Sequence, residues 1–194
     1  YFTYNLGRTE WLTFVGLFGI LSGLPMLFVL PWLQKKMTKK SVLVLSAVLY
    51  IVGDLLIFLG QPSPVLLITG LAITGLGIYG IFGSTFAIQP DVIDYSEYKK
   101  KRSISGLIAA FQGFFVKGSM GLASAFIGML LNIGGYVPNA EQTTTALQYI
   151  EISFIWTPIV ICLLIMLVMS FYKLDSKRSE MDIELEQRRV KRDN

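Results

Sequence analysis

The chain has 194 residues, 53% of them hydrophobic and only 15% charged, against about 25% charged in a soluble domain. It contains no histidine and a single cysteine, Cys162, which excludes the usual zinc sites, histidine-based triads and an internal disulfide. The formal net charge of +4 does not point to nucleic acid, because the basic residues fall in a few short blocks between long apolar runs.

Residues 1–10, YFTYNLGRTE, have neither the basic start nor the cleavage site of a signal peptide. Tyr1 to Leu6 read as the end of a preceding membrane helix, so a longer chain is expected. The first full span, near 11–34, contains Pro25 and Pro31, read as kinks whose freed carbonyls neighbouring helices or water satisfy. The basic block KKMTKK (35–40) closes it.

The second span, near 41–60, carries Asp54 fourteen residues beyond Lys40, about 21 Å along a helix. The third, near 63–90, is rich in glycine. Gly70, Gly75, Gly77, Gly80 and Gly83 suit either close approach of another helix or flexibility. Tyr79 and Phe82 fall on nearly one face. A short charged loop follows, DVIDYSEYKKKR (91–102), with three acids before four bases. Asp91 and Asp94, three residues apart, project to one side if the helix continues.

The fourth span, near 104–131, contains Lys117 fifteen residues beyond Arg102, again about 22 Å in. An intramembrane lysine costs roughly 2.5–3.5 kcal/mol on insertion scales, so this residue is a functional candidate. Gly106, Ala110, Gly113, Lys117, Gly121, Ser124 and Gly128 share one helix stripe, while Phe111, Phe114 and Phe115 lie opposite. Gln112 extends the polar side. Lys117 and Asp54 lie at similar depth, which leaves three readings of Asp54: a partner for Lys117, a group facing a cavity, or a neutral buried acid. The outer loop (132–150) has no Lys or Arg. The last span, near 150–172, is featureless and reads as a lipid-facing helix. The charged tail spans 173–194.

Each span reaches the roughly 20 residues needed to cross a bilayer. The chain is therefore an all-α polytopic membrane helix bundle, with residues 1–172 in the bundle. Four of the 17 Lys and Arg lie in 35–40, four in 99–102 and seven beyond Phe171. The positive-inside rule places those blocks and the tail in the cytoplasm, which requires an odd number of crossings, and five satisfy it.

The signature DVIDYSEYK (91–99), the lysine of FQGFFVKGSMG (111–121) twenty residues after Glu97, and GYVPNAEQTTTAL (135–147) together resemble the melibiose permease-like glycoside–pentoside–hexuronide:cation symporters of the major facilitator superfamily. The resemblance covers essentially the whole chain. It implies the C-terminal six-helix half of a major facilitator fold, from late helix seven through helix twelve, in the cell inner (plasma) membrane. The implied function is secondary active symport of a sugar or glycoside with Na⁺ or H⁺ by alternating access. Lys117 and Gln112 match positions of that family's sugar and cation region, and Phe82 stands where the melibiose carrier has a sugar-contacting tryptophan, with Tyr79 beside it. Asp91, Asp94, Tyr95, Glu97 and Arg102 fall in the family's cytoplasmic gate. Ser103 and Ser105 replace the family's Arg-x-Glu, so Arg102 or Lys101 is the substitute gate partner. No cofactor or metal site is implied in this chain, because the family's coupling-ion carboxylates lie on the N-terminal half. The implied partners are a sugar or glycoside, the coupling cation, the lipid bilayer and that N-terminal half, with no nucleic acid. A carrier for an amphiphile or drug is the alternative. A membrane enzyme or scaffold is disfavoured, because only Asp54 and Lys117 offer intramembrane chemistry.

Overall fold

A computed structural model describes residues 1–61, 63–100 and 105–172, with Leu174, Met181 and Ile183. The expected tail helix and Arg102 lie outside these residues. In chain order the elements are α1 (Trp11–Lys36), α2 (Lys39–Leu59), α3 (Pro64–Lys100), α4 (Ser105–Ile133), α5 (Thr144–Glu151), a π turn (Ile152–Trp156) and α6 (Thr157–Ser170). Among the described residues there is no strand. Four helical stretches are long and apolar enough to cross a membrane, and α1 makes a fifth if its two bent halves count as one span.

Local chemistry explains the boundaries. Thr38 caps α2, its hydroxyl accepting a hydrogen bond from the Ser41 N–H at 3.2 Å, and Thr143 does the same for α5 through Ala146 N–H. At the end of α4 the N–H of Tyr136 donates to the Leu131 carbonyl and that of Gly135 to Asn132, both at 3.0 Å. Gly135 sits between them at φ +71°, the left-handed position this C-terminal motif requires. In α1 the halves Trp11–Met26 and Phe28–Lys36 meet at 43°. Pro31 cannot donate to the carbonyl of Leu27, which places a missing hydrogen bond at the bend.

Two boundaries differ from those the hydropathy suggested. Residues 91–100 are the last turns of α3, which passes through Pro90 without ending. The final span begins at Thr144 rather than near 150, because a threonine cap starts a helix that polar composition made look like loop. It then runs through a π turn in which Thr157 N–H reaches back to Ile152, an extra residue accommodated immediately before Pro158. Ahead of α1, Tyr1 to Leu6 form turns in which the Asn5 N–H donates to the Tyr1 carbonyl at 2.8 Å, followed by Gly7 at φ +62°.

The packed part of the molecule is α3 against α2 and α1, with α6 against α2. At one end its core gathers Phe2, Ile57, Leu67, Leu71, Ile155 and Ile159, and Phe154 stacks on Tyr1. At the other end, Lys40 donates to the carbonyls of Ser170 and Tyr172, both at 3.1 Å, holding the end of α6 to the start of α2. A cation there also answers the negative end of the α6 dipole. Helix α4 packs chiefly on α5 and the π turn and buries none of its residues.

Candidate functional site

The glycines of α3 meet their neighbours at close range. A methyl group on Gly77 would strike the backbone of Tyr50, one on Gly70 would strike Ile57 and the Gly53 carbonyl, and one on Gly80 would strike Ser46. Those three face α2. Gly75 and Gly83 face α1, against Ser22 and Leu30. Close approach is thus what these residues provide.

This packing turns another side of α3 outward. Tyr79 lies over Gly23 of α1 and is partly exposed, while Phe82 and Phe86 are each more than half exposed. At 100° per residue the three share one face. Phe86 was missed in the sequence reading, although its place four residues beyond Phe82 was a signal for it. On α4, Lys117 is exposed and Gln112 half-buried. Among the described residues Lys117 forms no hydrogen bond or ion pair. A methyl group on Gly106, Gly113, Gly121 or Gly128 would meet nothing within 4 Å, so the small-residue stripe beside Lys117 is open. Among the described residues α3 and α4 are not closely packed on each other: the aromatic face belongs to the helix packed on α1 and α2, and the lysine to the helix packed on α5 and the π turn.

Asp54 is only 2% exposed. Its Oδ1 accepts a hydrogen bond from the Thr74 hydroxyl at 3.2 Å, and its Oδ2 is buried without a partner. Gly53 beside it lies against Thr74 and Gly70. The acid therefore sits in the α2–α3 seam, with Thr74 rather than Lys117 as its neighbour. No group of three or more acidic or cysteine side chains able to hold a metal ion occurs among the described residues.

The charged end of α3 is helical. Asp91 is buried and pairs with Lys39 at the start of α2, at 2.8 Å. The same ammonium donates to the carbonyl of Ala87 at 2.7 Å. These residues are fifty-two apart in sequence, and nothing in the sequence singled out Lys39 from its block. Asp94, Tyr95 and Glu97 are half-buried on the following turns, with the Lys99 ammonium 5.9 Å from the Tyr95 ring centre.

Comparison with known proteins places this arrangement in a family. The family model for MFS/sugar transport protein matches residues 1–176. The chain is 36% identical over 190 residues to the "Uncharacterized symporter YnaJ" of Bacillus subtilis (strain 168), covering 97% of this chain and 41% of that protein. It is 31% identical over 192 residues to the "Isoprimeverose transporter" of Lactiplantibacillus pentosus, covering 97% and 40%. With the "Glucuronide carrier protein homolog" of Escherichia coli (strain K12) it shares 28% over 162 residues, covering 82% and 35%. The chain thus spans about two fifths of the length of the first curated relatives it matches. It belongs to the MFS/sugar transport protein family, in agreement with its resemblance to the glycoside–pentoside–hexuronide:cation symporters.

Proposed function

We propose that this chain is the C-terminal helical half of a carrier that moves a sugar or glycoside together with Na⁺ or H⁺ by alternating access. The observation that carries this reading is a family match over 176 residues, which includes a lysine placed where a membrane helix tolerates one only for a purpose. In this reading Lys117 and Gln112 are polar anchors for sugar hydroxyls or the coupled ion, and Tyr79 and Phe82 present ring faces to the solute. The cavity they line is completed by helices outside this chain, which also supply the carboxylates that hold the cation. The basic blocks and the tail lie in the cytoplasm, as their charge asymmetry favours.

The inner end of α3 then divides into two parts. Asp91 is occupied by Lys39 of its own half and acts as an internal strut, whereas Asp94 is the acid offered to the opposing half when the inner side closes. Salt bridges that differ between the two states bias the equilibrium between them.

The test is uptake by the full-length gene product in vesicles. Lys117→Ala is expected to abolish ion-coupled accumulation of the transported glycoside while the protein still inserts. Normal coupled uptake by that variant would overturn the reading.

A further inference from the structure

The proposed function makes no use of Asp54, yet its setting is the most constrained of any acid among the described residues. An ionised carboxylate removed from water is stable only when several donors or a cation surround it. Asp54 has one neutral donor, Thr74, and its Oδ2 has none.

The elements packed around it bring no countercharge. On its own helix the nearest ionisable group is Tyr50, and from α6 it is Cys162; both lie within electrostatic range of the carboxyl, and both side chains are ordinarily uncharged at neutral pH. Helix α3 offers only Tyr79 between Pro64 and Ile88, and that ring lies over Gly23 of α1. Between Trp11 and Gln34, and in the π turn, there is no ionisable side chain at all. Lys39, fifteen residues away and about 22 Å along the helix, is engaged by Asp91.

We propose that Asp54 is a proton-binding site, held as the neutral acid in the closed α2–α3 seam with its proton on the bond to Thr74. The 3.2 Å Oδ1–Oγ1 separation serves a bond in either direction. With the proton on Oδ1, the carboxyl donates to the Thr74 hydroxyl oxygen, which accepts in place of donating. Oδ2 then becomes a carbonyl-type oxygen, whose lack of a partner is the least costly arrangement available to this group. The ligand is the proton alone: one O–H bond forms on uptake from water and breaks on release to it. Because the ionised form has no partner in the closed seam, release requires water to enter between α2 and α3, so proton occupancy is tied to the packing of these helices. The assignment is independent of the sugar reading.

Infrared spectra of the full-length product in lipid vesicles, with Cys162 as its only cysteine, test it directly. Near neutral pH the wild-type spectrum is expected to contain a protonated-carboxyl C=O stretch that Asp54→Asn lacks, and Thr74→Val is expected to move that band to higher frequency. Raising the pH removes the band and, over the same range, increases maleimide labelling of the buried Cys162 in wild type beyond that in Asp54→Asn, which controls for the thiol's own titration. The proposal is overturned if wild type and Asp54→Asn share the same carboxyl band, or if their Cys162 labelling coincides at every pH. Should Asp54→Asn fail to fold, a band unmoved by Thr74→Val overturns it equally.

Discussion

Helices α3 and α4 carry five glycines each and use them in opposite settings. Every one of the five in α3 has atoms of α1 or α2 where a methyl group would sit, while none of the five in α4 has any atom within 4 Å of that position. The first helix is locked by neighbours on two sides and by the Asp91–Lys39 pair at its end. The second is held chiefly along its attachment to α5 and the π turn. Glycine in a membrane helix therefore marks a capacity for close approach, and only the three-dimensional arrangement says whether the capacity is used inside this chain.

The largest effect should come from breaking the lock on α3. Asp91→Asn leaves Lys39 with an uncompensated charge, and the thermal stability of the purified carrier is expected to fall by about 3 kcal/mol. That is the low end for a buried pair, because the Lys39 side chain stays one fifth exposed. Adding Lys39→Met should recover part of the loss, since the two residues share one interaction. On α4 the charge works the other way: Lys117→Leu should favour membrane insertion of this helix by roughly 2.5–3.5 kcal/mol in a glycosylation-mapping assay. No gain would mean that Lys117 already reaches water during insertion.

Smaller effects separate the two sets of glycines. Gly77→Val drives a side chain into the Tyr50 backbone and should cost about 1–3 kcal/mol by overpacking. Gly121→Val meets open space and should change thermal stability by no more than about 0.5 kcal/mol. A cost equal to that of Gly77→Val would show that a helix outside this chain covers the α4 stripe.

The spans and the all-α class were legible because a bilayer imposes a length and a polarity that composition reports directly. The extension of α3 was not. Hydropathy falls at Asp91 because the chain leaves the apolar layer there, but the backbone hydrogen bonds continue, and Pro90 interrupts only its own. Likewise TTTALQYIE reads as loop by composition, although Thr143 supplies a cap and the turns that follow enter the membrane. Asp54 and Lys117 were visible as misfit charges in apolar runs. Their surroundings were not visible, because Thr74 lies twenty residues from Asp54 and depth along a helix says nothing about which helices are neighbours.

The unbroken course of α3 also has a mechanical side. Its 37 residues measure about 56 Å, against roughly 30 Å for the apolar thickness of a bilayer. A helix that long is a lever with its fulcrum in the membrane. A change of tilt around Gly77 and Gly80, too slight to be noticed at the seam, is multiplied along the shaft before it reaches Asp94 and Glu97. Asp91 ties the inner end of this shaft to the start of α2, so a load applied there is shared by both helices.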